Sequence, residues 1–374
     1  MPHTQKHLRV NTVQTSNRIR DFELLNKQHP TGNFFQSHEF YDVLKLANLK
    51  PFIIVTSERE VNGGLLAYTL PNPSFISRFF PNLIVYYGPI LADTTNLNTL
   101  DMLLNNLDLE MRRRGIVQVD IRTPFPCCKL NDIFTQNEYV RYDPGGEYSV
   151  IIDLAEDENT LWKEMKRLAR RSIRRAIESN VKVKEVVSER DLHSFYEIYI
   201  NTTERRNFAP YPFSFFNTFR LKLEPRGVAK FFMAWHRGRP IAGILNTIYN
   251  GQSVPFINAS LDEYWKLCPN HLLFWHSMCW SKVEAKAKTF KLYHLPKSKS
   301  PKNVIDYYSF KTLFGGDLIH ECSFYRKIVS PIKLQILEKA GKLLHLGVRT
   351  PWHLRPFSPV STGEVSTRHS EKAV

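Results

Sequence analysis

The chain reads as an α/β protein made of two similar units in tandem, each a mixed sheet flanked by helices. Three observations predict this class. With 374 residues and 43% hydrophobic content, the chain can bury two ordinary cores. Helical and strand periodicities alternate along most of its length. One order of elements (two helices, a β meander, a helix and two further strands) occurs twice, without a residue-level repeat.

In the first unit, helical spacing at 19–28 and 37–46 precedes strands at 52–56, 64–70 and 83–87. A helix at 97–114 follows, then strands at 117–121 and 148–152. The second unit opens with a helix at 161–176, where Trp162, Met165, Ala169, Ile173 and Ala176 recur at helical spacing opposite a basic side. Ser188-Glu189-Arg190-Asp191 is a capping-box start for the next helix, with Leu192, Phe195, Tyr196 and Tyr199 on one face. Strands at 230–236, 241–249 and 253–260 are joined by Arg237-Gly238-Arg239 and by Asn250-Gly251, the latter a strong type I′ hairpin signal. Asn270 is expected to cap a helix running to about Lys286. A strand at 290–295, a Lys/Pro/Ser loop, a short helix around Phe310-Lys311 and a strand at 321–328 complete the unit. The expected domains are therefore 1–153, completed by a C-terminal helix within 329–350, and 154–328, with acidic Glu156-Asp157-Glu158 at the join. Residues 351–374, rich in Pro, Ser and Thr, are expected to be disordered.

Charge narrows the partners. Lys and Arg number 51 against 36 Asp and Glu, a net +15, which favours nucleic acid, an anionic lipid headgroup or a phosphorylated substrate. No apolar run approaches the roughly 18 residues of a membrane-spanning helix. Met1-Pro2-His3-Thr4-Gln5-Lys6 lacks the apolar segment of a secretory signal, so a cytoplasmic location is expected, with attachment to the membrane surface left open. The cysteines Cys127, Cys128, Cys268, Cys279 and Cys322 form no CxxC, which fits a reducing compartment and argues against structural zinc. His271 and His276 do not share a helix face, and HExxH, Walker A and GxSxG are all absent. Metal, NTPase and serine-hydrolase chemistry is thus not indicated.

Three groups of residues carry candidate chemistry. Tyr307-Tyr308-Ser309-Phe310-Lys311-Thr312-Leu313-Phe314-Gly315-Gly316 is an aromatic-rich helical stretch ended by glycines, with one lysine against an apolar patch. On residues alone, Lys311 is also the last-turn cation that a helix dipole favours by about 0.3–1 kcal/mol. Lys163, Lys166, Arg167, Arg170, Arg171, Arg174 and Arg175 place their charges on one helix beside Glu164. That is either a solvated face or a phosphate-binding one, suited to a tRNA acceptor arm or a pyrophosphate lipid. Arg205 and Arg206 follow an aromatic helix and suit a carboxylate or phosphate clamp, with Tyr211 and Phe215 lining an acceptor pocket; packing is the alternative for all four.

The Tyr308–Gly315 stretch resembles the SFKxxFG segment of the FemA/FemB/FemX group of peptidoglycan aminoacyltransferases, and further elements follow the same pattern. Phe34-Phe35-Gln36-Ser37 is similar to the early FxQSxxW element, and Tyr87-Gly88-Pro89-Ile90-Leu91 to RGPxxD, each with a substitution. Tyr148–Leu154, Leu161–Met165 and Arg171–Ala176 resemble the opening of the family's second domain, and Thr203-Glu204-Arg205-Arg206-Asn207-Phe208 resembles TxERxGF. The resemblance implies two tandem GNAT-like acyltransferase domains and transfer of an amino acid from aminoacyl-tRNA to an amine of a peptidoglycan precursor or related anionic cell-envelope molecule. It implies Lys311 and Phe310 as catalytic, and Arg205, Arg206, Tyr211, Phe215, Gln36 and Tyr308 as substrate-binding. Lys166, Arg170, Arg171, Arg174 and Arg175 would meet tRNA or phosphate. No cofactor is expected beyond the tRNA co-substrate, and no metal. Two departures separate this sequence from the pattern. A DxGG-like turn is replaced by Leu292-Tyr293-His294-Leu295-Pro296, and the Arg expected near Tyr211 and Phe215 is missing. The alternatives are a GNAT-type N-acyltransferase using acyl-CoA, disfavoured by the absence of a [QR]xxGx[GA] loop, and a non-catalytic RNA- or membrane-surface-binding protein.

Overall fold

The computed structural model describes residues 9–13, 16–57, 60–69, 81–124, 128–141, 147–206, 208–296 and 310–336. Cys127, Asn207, residues 297–309 (among them Tyr307, Tyr308 and Ser309) and residues 337–374 lie outside the described residues.

The first part of the chain runs β1 (Arg9–Val13), α1 (Ser16–Gln28), α2 (His38–Leu46), β2 (Phe52–Ser57), β3 (Val61–Thr69), β4 (Asn82–Val85), β5 (Ile90–Leu91) and α3 (Leu97–Arg113). Next come β6 (Gln118–Arg122), α4 (Cys128–Gln136), β7 (Val140–Arg141) and β8 (Glu147–Asp153). The second part runs α5 (Glu158–Glu164), α6 (Arg167–Glu178), β9 (Lys182–Glu185), α7 (Glu189–Arg205) and α8 (Phe213–Thr218). It then continues through β10 (Ala229–His236), β11 (Arg239–Tyr249), β12 (Gln252–Ser260), α9 (Pro269–Val283), β13 (Thr289–Pro296), β14 (Asp317–Cys322) and β15 (Phe324–Ile328). Two mixed sheets result, with strand orders β1-β2-β3-β4-β6-β15-β7 and β14-β8-β13-β12-β11-β10-β9. Each contains one parallel pair, β4 with β6 and β12 with β13.

Much of the local reading holds. Ser188 and Asp191 form the capping box of α7, and both hairpin turns have the positive φ angles of type I′, at Arg237-Gly238 and Asn250-Gly251. The differences have physical causes. The expected helix 161–176 is two helices, because Met165 and Lys166 are extended and the Lys166 amide bonds the Leu313 carbonyl at 2.9 Å. Met165 is buried at the break and anchors it. Cys268 rather than Asn270 precedes α9, with Pro269 at its first position, where a missing N–H costs nothing. Strands β1, β5, β7 and β9 and helices α4 and α8 went unread because each is short, nine residues or fewer.

The domain limits change most. β8 pairs β13 and β14, so the second sheet begins at Glu147 and not after 153. The expected single strand 321–328 is two strands in different sheets, since β14 joins β8 whereas β15 joins β6 and β7. Backbone and hydroxyl bonds between Thr123 and Ser323 hold the crossing point. Strand β15 therefore belongs to the first sheet, and the part of the expected C-terminal helix from 337 to 350 lies outside the described residues. The helical start at 331–336 lies just beyond β15, where Val329 and Ser330 bond Val117.

The halves share one core. Phe34, Phe35, Phe40 and Tyr87 from the first pack with Tyr199, Phe215, Phe219 and Tyr293 from the second. Polar latches cross the same boundary: Asn26 Nδ2 to Tyr249 Oη at 2.7 Å, and the Tyr68 and Tyr211 hydroxyls at 3.2 Å. No helix among the described residues is long and apolar enough to cross a membrane.

Strand β15 is pinned by charge as well as by its ladder. Arg326 grips buried Asp120 through two bonds, at 2.6 and 3.0 Å, and Lys327 bonds Asp108. Burial outweighs the Arg326 pair and holds the Asp120 carboxyl above its ordinary value. Arg326→Met is expected to lower stability by about 3–5 kcal/mol, because it strands a buried carboxylate. A carboxyl with a raised folded-state pKa stabilises the fold when protonated, and that gain fades as pH rises. The deficit of the variant is thus largest near neutrality and shrinks on acidification, measurable as urea midpoints at several pH values.

Candidate functional site

Strand β13 aims its residues two ways. Phe290 and Leu292 enter the core of the second half beside α9, so Lys291 and Tyr293 face the first half. There a cavity of about 90 Å³ opens at the seam. One wall is residues 30–33, Tyr87 and Pro124 of the first half; the other is Gln252, Lys291 and Tyr293 of the second.

The first wall is held by side-chain amides. Asn33 Nδ2 bonds the Tyr87 carbonyl at 2.9 Å, and Gln36 Nε2 bonds the Tyr86 carbonyl at 2.8 Å. Gln36 also accepts from the Leu66 amide at 2.7 Å and is fully buried, so it positions the wall and lies behind it. Gly88 is required here, since any Cβ would fall 2.7 Å from the Gln36 side chain. Tyr87 itself sits at φ +53°, a left-handed conformation unfavourable for a bulky residue, and its ring meets Tyr293 at 4.5 Å.

The second wall carries the lysines. β12 and β13 are parallel but pair only at Gln252–Thr289 and Ser253–Phe290, so their remaining lengths diverge. A register shift in the pairing with β8 falls between Leu292 and Leu295. Into that irregularity Lys311 donates from Nζ to the Tyr293 carbonyl. The segment bearing Lys311 crosses β8 closely: Gly316, at φ +79°, has no room for a Cβ, which would lie 2.4 Å from the Ile151 carbonyl. Phe310 adjoins Lys311 in the same segment. Its ring packs against His271 at 4.8 Å, Phe274 at 5.2 Å and Phe314 at 5.4 Å, which anchors the segment to α9. Burial lowers the His271 pKa to about 4, so that imidazole is neutral at physiological pH.

The structure brings Lys311 to the seam but not every expected partner. Arg205 bonds the Ser260 carbonyl at 3.0 Å and stacks on Trp265 at the far end of β12. At about 3.3 Å per residue, Gln252 and Ser260 are separated by about 26 Å. Arg205 therefore works as a tie between α7 and the 262–267 turn, away from the cavity. Arg206 ends α7, where burial and then Arg205 lower its pKa to about 10. Tyr211 stacks on Phe215 at 4.2 Å inside the shared core, and Phe215 is fully buried, so this pair fills space in place of lining a pocket. On α6, Lys166, Arg171, Arg174 and Arg175 are exposed, while Arg170 caps α5 at the Lys163 carbonyl, 2.6 Å away. The basic helix and the Lys311 segment touch through the Lys166–Leu313 bond. Tyr308 lies outside the described residues.

Sequence reasoning missed Lys291, Gln252, Asn33 and Tyr293. The alternation Phe290-Lys291-Leu292-Tyr293 was the available signal, because a lysine flanked by core positions of a strand needs a second face to be explained.

Comparison with known proteins places these features. The structure resembles that of FemX with a TM-score of 0.65 at 15% identity, covering 88% of this chain and 100% of the other. It resembles a tandem GNAT protein from the clavulanic acid biosynthesis pathway with a TM-score of 0.59 at 11% identity, covering 87% and 99%. No curated protein matches by sequence. Residues 163–295 match the family model of the acetyltransferase (GNAT) domain. Residues 163–295 are thus similar in sequence to the GNAT acetyltransferase domain, and the chain as a whole has a fold resembling tandem GNAT structures.

Proposed function

We propose that this protein is a Fem-like aminoacyltransferase, moving an amino acid from aminoacyl-tRNA to an amine of a peptidoglycan precursor or related anionic cell-envelope molecule. The observation that supports this reading is the Lys311 ammonium bonded to the carbonyl of Tyr293, a residue that lines the cavity shared by both halves. An aminoacyl ester is already activated, so the protein must align two reactants and stabilise charge on the carbonyl oxygen. The acceptor nitrogen attacks the ester carbon, and a C–N bond forms as the carbonyl oxygen becomes an oxyanion. Collapse breaks the ester C–O bond, and the proton lost by the amine ends on the departing ribose oxygen. Lys311 is the cation for the oxyanion. The exposed arginines of α6, beside the same segment, are suited to the phosphates of the tRNA.

An acyl-CoA donor is the second reading, favoured by the divergence of β12 and β13, whose unpaired edges suit an extended amide-bearing chain. Against it stands the turn between β12 and α9. That turn, Asp262–Leu267, presents Asp262 and Glu263 and leads into Pro269, a poor seat for a pyrophosphate.

Lys311→Met is expected to slow transfer from charged tRNA by about 10²–10³-fold with little change in substrate affinity, the loss seen when one oxyanion donor is removed. Undiminished turnover in the variant refutes the role given to Lys311. Heat protection by CoA and not by tRNA selects the second reading. RNA binding with no transfer to any amine leaves a binding protein. Charge reversal at Arg171 and Arg175, both exposed, is expected to change stability by less than about 0.5 kcal/mol. The same change is expected to flatten the salt dependence of tRNA binding by about two logarithmic units of slope. An unchanged slope removes α6 from the tRNA site.

A further inference from the structure

Helices α5 and α6 carry their cations beside two tryptophans. Between 163 and 175 the chain has seven lysines and arginines against one acid, Glu164, and all of the seven but Arg170 are exposed. Trp162 of α5 and Trp275 of α9 meet edge to face, with ring centres 5.2 Å apart. Both are half-buried, packed on the core of the second half with part of their surface left open. The Arg174 guanidinium lies over the Trp162 ring, 5.6 Å from its centre. Arg170 holds the end of α5 in place through the carbonyls of Trp162 and Lys163, at 3.4 and 2.6 Å. A contact between two helices needs apolar area only, which leucine supplies. Indoles set among exposed arginines add aromatic faces to a field of positive charge, the combination that single-stranded nucleic acid recognises. A bilayer is a poorer occupant. Leu168 and Ile177, the exposed apolar residues of α6, are nine positions apart, about half a turn round the helix, so they share no face that could enter a membrane.

We propose that Trp162, Trp275 and Arg174 form a stacking platform for unpaired nucleotides, with Arg171 and Arg175 on the phosphates between them. The inference rests on the transfer reading in one respect only, the identity of the strand: in that reading it is the unpaired 3′ end of the charged tRNA, leading to Lys311. Two connections run that way. Trp275 stands one turn beyond His271 on α9, the His271 ring meets Phe310 at 4.8 Å, and Phe310 adjoins Lys311. The Lys166 amide, at the start of α6, bonds the Leu313 carbonyl of the same segment.

The test is a titration of the full chain with a single-stranded RNA dodecamer of mixed sequence, read by tryptophan fluorescence. The matching duplex, inorganic polyphosphate and phosphatidylglycerol vesicles are parallel arms. Saturable binding of the single strand with quenching is expected, whereas the duplex and polyphosphate offer charge without open base faces and quench little. Trp162→Leu and Trp275→Leu are each expected to weaken single-strand binding at least about fivefold, and Trp162→Phe to retain most of it. Arg174→Gln is expected to lower the logarithmic salt slope by about 0.7. If the leucine variants do not fold, ultraviolet cross-linking of a 5-bromouridine-substituted strand to the unaltered chain decides the matter, with adducts expected on Trp162 or Trp275. Adducts confined elsewhere, unchanged affinity in the folded leucine variants, equal quenching by duplex or polyphosphate, no saturable binding, or tighter binding of vesicles than of RNA overturns the proposal. Failure here is distinct from failure of the function above. Single-strand binding at the tryptophans without acyl transfer from charged tRNA leaves the platform standing, and transfer that the leucine variants do not alter leaves the function standing without it.

Discussion

The contact on which the rest of this molecule depends is the aromatic packing between its halves. Tyr87 against Tyr293, Phe35 against Phe256 at 5.2 Å, and the Tyr211–Phe215 stack reaching Tyr68 turn two sheets into one body. Large rings buried on both sides contribute area and specific edge-to-face geometry together. Because that packing closes one face of β13, Lys291 and Tyr293 look into a cleft and not into solvent. A lone domain with this strand would expose its lysine; the tandem arrangement buries it.

The chain reinforces this union by how it is threaded. β8 leaves the first half to join the second sheet, and β15 returns to complete the first, so neither sheet is whole without a strand that follows or precedes the other half. The Lys311 segment lies just before that return. Its placement is set by the Lys166–Leu313 bond, by Phe310 and Phe314 on α9, and by glycines that let backbone pass close to β8. Lysine, cavity and crossing strand are thus consequences of one topology. The strained Tyr87 backbone, held by the Asn33 amide, is where that packing is least comfortable and where the cavity opens.

What the sequence made legible was mostly local. Type I′ turns, the α7 capping box and the meander strands declare themselves through φ requirements, side-chain caps and alternation within a few residues. The likeness of Ser309–Gly315 to a transferase segment directed attention to Lys311. Long-range facts were hidden. Nothing in 321–328 says that the strand divides between two sheets, because both parts alternate alike. Nothing in Arg205 or Phe215 says that one ties a turn and the other fills the core, since arginine beside aromatics suits clamp and brace equally. Helix α6 read as continuous because Met165 and Lys166 are good helix formers, and only the tertiary bond to Leu313 breaks it.

The proposed acyl transfer takes place at the seam of the two halves. A structure of the protein with a non-hydrolysable aminoacyl acceptor-stem analogue tests this most directly. The aminoacyl carbonyl is expected within hydrogen-bond reach of Lys311 Nζ, beside Tyr293. An aminoacyl group seated elsewhere, with the seam unaltered, would contradict it.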